Sequence, residues 1–369
     1  AAPGTVRVDN GLGQVNVAGM QFASDGYRVN GDAITLVGSK TNPGQSTIRG
    51  GDGSEDGRGY TAMIDSVLTG QSMLRKSDLG TLVLGADNTY TGGTTIDGGT
   101  LQVSRDANLG VASGGVGFDQ GTLRTTADIR TDRTLTLRDG GGTLATAAGS
   151  TFTVDGAIVG NGALTKSDDG TAVLTAANTY TGGTVIGGGT LQLGNGGTRG
   201  GIVGDIANNA ILAVNRSDTY VIDGNVSGTG ALRQIGGGTT VLNGSNTYTG
   251  LTSVENGALV VGDAAHPLAS VAGNGGVRIA SNTTLGGYGS VSGAVTNLGQ
   301  VAVADAMPAL AGQAKGGFVV NGTLTNAGAV NLAGTGTGNT LTTTNYVGQN
   351  GSIHLNTVLA GDNAPTDRV

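Results

Sequence analysis

A motif that occurs three times constrains the fold more than any other feature of the sequence. Asn-Thr-Tyr-Thr-Gly-Gly-Thr occupies residues 88–94 and 178–184, and a copy with one change occupies residues 246–252. Aligned on the tyrosine, the three copies match over 28 residues without a gap, from 74–101 onward. Internal repetition of this kind is typical of solenoids, in which each coil stacks on the next.

Short alternating runs within each copy predict β-strands. Apolar and polar residues alternate in Thr81–Leu84 and Thr100–Val103, and glycine bounds each run. A period of two is typical of strands, and no stretch keeps a helical period. The tyrosines are 90 and then 68 residues apart, near four and three times about 22.5, roughly one three-stranded turn. The sequence therefore predicts an all-β fold, a three-stranded parallel β-helix of about 16 turns.

The composition agrees with a narrow β-helix. The chain has 73 glycines, 5 prolines, no cysteine, no tryptophan and 3% aromatic residues. Aliphatic side chains fill such an interior, while glycine and asparagine supply the positive φ angles of its corners. Collagen would need glycine at every third position and abundant proline. We expect Leu101 and Leu191 to point inward and Tyr90 to lie at a corner.

The pattern predicts one domain over residues 1–369. Residues 1–73 are expected to form N-terminal turns, 74–103, 164–193 and 232–261 the repeat copies, 262–318 further turns, and 319–369 a C-terminal segment. Residues 50–60 and 304–317 are the expected excursions from the coil. The structural repeat positions are Asn88, Tyr90, Gly92, Asn178, Tyr180, Gly182, Asn246, Tyr248 and Gly250.

Few residues could carry catalysis. His266 and His354 are the two histidines, and no Gly-x-Ser-x-Gly elbow accompanies them, as a hydrolytic triad on that turn would require. Asp168 and Asp169 form the densest carboxylate pair. The other copies lack an acid pair there, so a solvated corner is expected rather than a sugar-cleaving pair. The sequence predicts no catalytic residue and no cofactor.

An acidic loop supplies a candidate calcium site. Asp52, Ser54 and Asp56 match the first half of an EF-hand loop, but Met63 stands where the bidentate glutamate belongs. The alternative is an acidic surface loop without a metal.

Charge and hydropathy exclude two kinds of partner. The formal net charge is −7, from 19 basic and 26 acidic residues, and there is no contiguous basic patch of the kind that binds nucleic acid. No apolar run reaches the length that crosses a bilayer as a helix. We therefore expect no nucleic-acid partner and no membrane insertion of this segment.

The repeat resembles a known secretion-associated motif. Residues 74–101 and 164–191 resemble the passenger-associated transport repeat of bacterial autotransporters, while the third copy has Gln234 in place of lysine and Leu251 in place of the second glycine. Residues 15–37 resemble the segment that precedes these repeats. Residues 345–369 are similar to the start of the pertactin-like C-terminal passenger module. The resemblance implies a right-handed parallel β-helix whose folding-promoting cap begins within 319–369.

The resemblance also implies a function and a location. The chain would be a passenger fragment exported through the periplasm and outer membrane of a Gram-negative cell, with its own C-terminal β-barrel as partner. It would act at the cell surface as a non-enzymatic scaffold or adhesin, binding itself in aggregation or biofilm, or binding a host or neighbouring cell. The alternative is the stalk of an autotransporter serine protease or esterase whose catalytic domain lies upstream of residue 1.

Overall fold

The computed structural model describes residues 3–360 and 364–369. Residues 1–2 of the predicted N-terminal turns and residues 361–363 of the predicted cap lie outside this range. The chain divides into two compact units, Ala1–Gly189 and Thr190–Val369. Each unit is a solenoid of short parallel strands, and the predicted all-β parallel β-helix is confirmed. The assignment of turns to 1–73 and 262–318 stays a prediction.

The first unit is built from short strands and two 3₁₀ helices, Asp56–Gly59 and Asp106–Leu109. Its strands are β1 (Thr5–Val8), β2 (Val15–Val17), β3 (Gly19–Phe22), β4 (Tyr27–Gly31), β5 (Ile34–Leu36), β6 (Gln45–Gly50), β7 (Thr61–Ile64), β8 (Leu68–Gly70), β9 (Met73–Ser77), β10 (Thr81–Leu84), β11 (Thr94–Asp97), β12 (Thr100–Val103), β13 (Val116–Phe118), β14 (Gly121–Thr125), β15 (Ile129–Thr131), β16 (Leu135–Leu137), β17 (Gly142–Thr146), β18 (Thr151–Val154), β19 (Ile158–Gly160), β20 (Leu164–Ser167), β21 (Thr171–Leu174) and β22 (Thr184–Ile186).

The strands of the first unit form the sides of the solenoid. One sheet runs β1-β4-β7-β10-β12-β14-β17-β20-β22 and a second runs β3-β6-β9-β11-β13-β16-β19. The third side contains β2-β5-β8 and, farther along, β15-β18-β21. Each strand pairs with a strand of the turn before and the turn after, so its backbone hydrogen bonds run along the solenoid axis.

The second unit repeats this plan and adds two 3₁₀ helices, Ala304–Ala306 and Pro308–Leu310. Its strands are β23 (Thr190–Leu193), β24 (Ile206–Asn208), β25 (Ile211–Val214), β26 (Thr219–Ile222), β27 (Val226–Ser227), β28 (Ala231–Gln234), β29 (Thr239–Leu242), β30 (Ser245–Asn246), β31 (Thr252–Val254), β32 (Ala258–Val261), β33 (Ser270–Val271), β34 (Val277–Ile279), β35 (Thr284–Gly287), β36 (Ser290–Ser292), β37 (Val295–Asn297), β38 (Gln300–Val303), β39 (Gly317–Asn326), β40 (Ala329–Asn331), β41 (Thr340–Gly348) and β42 (Ser352–His354).

Three sheets also organise the second unit. One contains β24-β27, the second runs β26-β29-β32-β35-β38-β40-β42, and the third runs β23-β25-β28-β31-β34-β37-β39-β36-β33-β30. The ten-residue strand β39 pairs with both β36 and β37, and β41 pairs with β39 with a register shift between Val320 and Thr323.

Aliphatic ladders form the core. Leu101 of β12 stacks between Leu82 of β10 and Leu123 of β14, and all three side chains are fully buried. The alternating pattern of β12 puts Leu101 and Val103 inside and leaves Gln102 half-buried on the outside. Leu191 is buried in the same way in the second unit. The predicted inward orientation of Leu101 and Leu191 is therefore confirmed.

The turns that contain the repeat motif are shorter than the predicted 22.5 residues. The first strand of each copy pairs with a strand 20 residues later: Leu74 with Thr94, Leu164 with Thr184, and Leu232 with Thr252. The first copy begins in β9 and the second in β20, which belong to different sheets. The prediction that Tyr90 and Tyr180 are four whole turns apart is therefore wrong. Corner length varies between turns, so division by a mean length conceals a fractional turn.

Both predicted excursions leave the coil. Residues 51–60 contain the 3₁₀ helix Asp56–Gly59, and residues 304–316 contain the two 3₁₀ helices of the second unit. The second excursion is anchored by Asp305, whose side chain is fully buried. Its carboxylate accepts hydrogen bonds from Lys315 Nζ at 2.5 Å, Asn339 Nδ2 at 2.7 Å and the Thr335 backbone N–H at 2.8 Å. One carboxylate thus ties the excursion to the loop before β41.

Candidate functional site

The three repeat tyrosines lie in the core of the solenoid. Tyr90, Tyr180 and Tyr248 are each 0% exposed. Each hydroxyl lies 2.7 Å from the Oγ1 atom of the threonine four residues later, namely Thr94, Thr184 and Thr252. Burial raises the pKa of Tyr90 and Tyr248 above the ordinary tyrosine value. The prediction that Tyr90 belongs mainly to a corner is wrong, because its backbone turns there while its ring points inward.

The repeat asparagines connect successive turns. The side-chain oxygens of Asn88, Asn178 and Asn246 accept backbone N–H bonds at 2.8–2.9 Å from the residues 20 positions earlier, Leu68, Ile158 and Val226. A buried backbone N–H without a partner would be costly. The asparagine therefore supplies the hydrogen bond that strand pairing does not supply at the corner.

The first glycine of each motif permits close approach of the preceding turn. A Cβ atom on Gly92 would lie 2.3 Å from the backbone nitrogen of Met73, and one on Gly182 would lie 2.4 Å from that of Ala163. A Cβ atom on Gly250 would meet the carbonyl oxygen of Gly230 at 2.3 Å. These distances exclude a side chain without a backbone shift, so the glycines are needed for stacking.

Two buried lysines are structural groups whose role the sequence did not predict. Lys76 and Lys166 are 0% exposed, and Lys76 stacks in a ladder between Ile48 and Ile96. The Lys76 ammonium donates to the carbonyls of Asp78 and Gly98 at 2.7 and 2.9 Å. It therefore satisfies carbonyls that turn inward at a corner.

Lys166 repeats this arrangement. Its ammonium donates to the carbonyls of Ser167, Asp168 and Gly188 at 2.6–3.0 Å. Burial lowers the pKa of both Lys76 and Lys166 to about 8. In the third copy the Gln234 amide donates to two glycine carbonyls, those of Gly236 and Gly238, at 2.7 and 3.2 Å. A neutral amide therefore replaces the ammonium there.

This comparison predicts the outcome of substitutions at Lys166. We expect Lys166→Met to have a free energy of unfolding about 1–3 kcal/mol below that of Lys166→Gln, because methionine leaves buried carbonyls without donors. The Lys166→Gln variant imitates the third copy. Chemical denaturation followed by far-ultraviolet circular dichroism measures both values. Equal stability of the two variants would contradict the proposed role of the donor.

The same site predicts a pH dependence. The folded pKa of Lys166, about 8, lies below the unfolded value of 10.5. The unfolded chain therefore binds more protons between these values, and stability contributed by this group rises with pH from about 8 toward about 10. We expect Lys166→Gln to show a smaller rise than the unmodified chain over this interval.

The candidate calcium ligands lie on an exposed loop. Asp52 Oδ1 accepts hydrogen bonds from the Ser54 hydroxyl at 2.6 Å and the Ser54 backbone N–H at 2.9 Å, and these bonds lower the pKa of Asp52. Asp56 begins the adjacent 3₁₀ helix. Within residues 3–360 and 364–369, no three His, Cys, Asp or Glu side chains are grouped so that they could hold a metal ion. Calcium binding at Asp52, Ser54 and Asp56 stays a prediction.

The remaining candidate groups have local partners. Asp168 has a φ of 57° and pairs with Arg124 at 2.9 Å. His266 Nδ1 lies 2.7 Å from Asp263 Oδ1, and His354 Nε2 lies 3.0 Å from the Ser352 hydroxyl. The two histidines therefore belong to separate local contacts rather than to one constellation.

The outer faces carry ion pairs between neighbouring turns. Arg75 Nε lies 2.5 Å from Asp97 Oδ2, and Arg233 forms two contacts of 2.7 Å with Glu255. Both pairs join residues 22 positions apart. In the part of the chain that the structure describes, no helix has the length and apolar character needed to span a membrane.

Comparison with known proteins agrees with this geometry. Residues 74–103, 164–193 and 232–261 match the passenger-associated-transport-repeat family. Residues 319–369 match the autochaperone domain type 1 family. No solved structure matches the chain.

Two curated relatives share parts of the chain. Over 229 residues, 62% of the chain, it is 50% identical to a Brucella suis biovar 1 (strain 1330) protein named Adhesin BmaC autotransporter. Over 168 residues, 45% of the chain, it is 29% identical to the uncharacterized protein YuaQ of Escherichia coli (strain K12). The chain spans 6% and 10% of the length of these relatives. The transport repeats, the autochaperone segment and the parallel solenoid that carries them identify the chain as part of an autotransporter passenger domain.

Proposed function

We propose that this passenger segment belongs to a non-enzymatic adhesin displayed at the surface of a Gram-negative cell. The observation that carries the proposal is the 50% identity over 229 residues to a protein named as an autotransporter adhesin. The family also supplies the route to the surface. A C-terminal β-barrel of the same polypeptide anchors the passenger in the outer membrane, and the segment from residue 319 onward promotes folding outside.

The surface chemistry supports adhesion through many weak polar contacts. Strand alternation turns one set of side chains inward and presents the other set as ladders along each sheet. On the outer faces, hydroxyls such as Thr35 and Thr69, 3.0 Å apart, alternate with the ion pairs between turns. A partner that follows a ladder meets similar groups at each turn, so individually weak contacts add.

Two kinds of partner fit these ladders. A second copy of the chain offers the same polar faces, and pairing between copies on different cells would cause aggregation. A host or neighbouring-cell surface offers glycans and proteins with hydroxyl and charged groups. We propose both as partners of the passenger, with attachment and clumping as separate readouts.

The experiment displays the full-length protein on an E. coli strain that neither clumps nor adheres. Attachment to epithelial cells and clumping in suspension are measured against the same barrel carrying only an epitope tag. We expect the full-length protein to raise at least one of the two. No increase in either would contradict the adhesin proposal.

A competition assay tests whether this segment carries the adhesion. Purified chain 1–369 is added to the displaying cells, and we expect it to reduce attachment or clumping as its concentration rises. Chain carrying Leu101→Asp, which disrupts the ladder, serves as the matched control and should not compete. Equal competition by both proteins would mean that the folded solenoid is not the binding element.

A further inference from the structure

A cleft opens on the outer face of the first unit, where β9, β11, β13 and β16 are neighbours. Its volume is about 260 Å³, and glycines 92, 93, 115 and 117 contribute to its lining. A Cβ atom on Gly117 would lie 3.4 Å from Thr95 Oγ1 and 3.7 Å from Arg138 Nη2. The absence of a side chain at Gly117 therefore keeps open the space between these two polar groups.

Arg138 brings an incompletely used positive charge to this cleft. Its side chain is half exposed, and its nearest carboxylate oxygen is Asp97 Oδ1 at 3.8 Å, which is too long for a hydrogen bond. Asp97 is already engaged, because Arg75 Nε contacts its Oδ2 at 2.5 Å and the Thr95 hydroxyl contacts its Oδ1 at 2.7 Å. The guanidinium of Arg138 therefore keeps donors free for a ligand.

The rest of the lining has the chemistry of a sugar site. Thr134 and Thr136 are exposed threonines at the cleft, and Met73 supplies an apolar surface. Hydroxyl and backbone groups can bond to sugar hydroxyls, while a guanidinium binds a carboxylate or sulfate through paired N–H donors. The volume lies just below the range of about 300–1,000 Å³ typical of pockets for larger small molecules. It suits one sugar ring rather than a buried chain of rings.

We propose that this cleft binds an acidic sugar residue of a surface glycan, with Arg138 holding its carboxylate or sulfate. The inference rests on the proposed adhesive function and names a ligand class for it. The net charge of −7 disfavours general attraction of anions to the chain. Selective binding of an acidic sugar must therefore come from a local site. Affinity at one cleft is expected to be weak and to be increased by the many passengers on a cell.

The test measures binding of two probes to the purified chain 1–369 by isothermal titration calorimetry at physiological ionic strength. A heparin tetrasaccharide carries sulfates and carboxylates, whereas a hyaluronan tetrasaccharide carries carboxylates alone. Binding of both identifies a general acidic-sugar site, and binding of heparin alone identifies a sulfate site. Binding of neither would overturn the proposal.

Variants locate the site. We expect Arg138→Gln to weaken binding by at least about tenfold, from the loss of charge-assisted hydrogen bonds. Gly117→Val should also weaken binding, because it fills the cleft. The matched control is Arg130→Gln, since Arg130 is an exposed arginine in β15, on another sheet, and pairs with Asp155. Circular dichroism checks that each variant is folded. Unchanged binding by a folded Arg138→Gln protein would overturn the assignment.

The display assay separates this inference from the proposed function. Cells that adhere through the passenger while the chain binds neither tetrasaccharide would leave the adhesin proposal standing and remove the cleft. A chain that binds through Arg138 on cells that neither adhere nor clump would do the reverse.

Discussion

Replacing Leu101 with aspartate is expected to lower the free energy of unfolding of the first unit by at least about 4 kcal/mol. Leu101 is fully buried in a ladder between Leu82 and Leu123. The substitution removes the aliphatic contacts and places a carboxyl group where no donor compensates it. Chemical denaturation gives the global change. Hydrogen exchange should show loss of protection over 81–125, because solenoid stability is largely contributed turn by turn.

The neighbouring position provides the control. Gln102 follows Leu101 in β12 but faces outward, where its Oε1 atom accepts a hydrogen bond from Arg124 Nη1 at 3.1 Å. Gln102→Asp introduces the same carboxylate next to an arginine, and we expect a change within about 0.5 kcal/mol. A Leu101→Asp protein as stable as Gln102→Asp would refute the inward assignment of this ladder.

Replacing Asp305 with alanine is expected to cost the second unit about 3–5 kcal/mol. The substitution leaves the Lys315 ammonium, the Asn339 amide and the Thr335 N–H without their shared acceptor. Burial alone raises the pKa of Asp305, but the hydrogen bonds from these groups outweigh it and hold the pKa well below its usual range. Denaturation of the chain, followed by hydrogen exchange over 304–348, measures the effect.

Two comparisons sharpen this prediction. Glu255→Ala removes a half-exposed ion pair with Arg233 in the same unit, and we expect a loss of at most about 1 kcal/mol. Combining Asp305→Ala with Lys315→Met should cost less than the sum of the single changes, because the double variant leaves no buried ammonium unpaired. Additive losses would mean that the two side chains do not form a functional pair.

The Asp305 network also predicts sensitivity to acid. Because its folded pKa lies below the unfolded value, its contribution to stability is full above about pH 4 and is lost as the pH falls further. The Asp305→Ala variant should therefore lose less stability than the unmodified chain between about pH 4 and pH 2.

Much of the architecture could be predicted from local sequence patterns. Alternation in runs such as Thr81–Leu84 and Thr100–Val103 identified strands, because one side of each strand faces an aliphatic core. The two excursions were recognised because residues 50–60 and 304–317 interrupt that alternation. These features depend on neighbouring residues in the chain, which a sequence displays directly.

Contacts between turns could not be predicted in the same way. Tyr90 lies among glycine and threonine in a turn-like stretch, and only the paired Thr94 hydroxyl in three dimensions explains its burial. Lys76 and Lys166 are residues that normally favour the surface, and the carbonyls that hold them come partly from residues 22 positions later. The replacement of lysine by Gln234 was the one available signal, since it shows that donors rather than charge are required. The cleft at Arg138 depends on three separate turns.

The start of the first two copies in different sheets bears on how such chains change during evolution. The first copy pairs β9 with β11 and β10 with β12, so it carries its own stacking partners wherever it begins. Unequal recombination between the DNA segments that encode the first two copies would delete 90 residues and leave one intact copy. Every strand after the junction would then move to the next side of the solenoid. A single genetic event could thus rearrange the outer faces while the interior stays stacked.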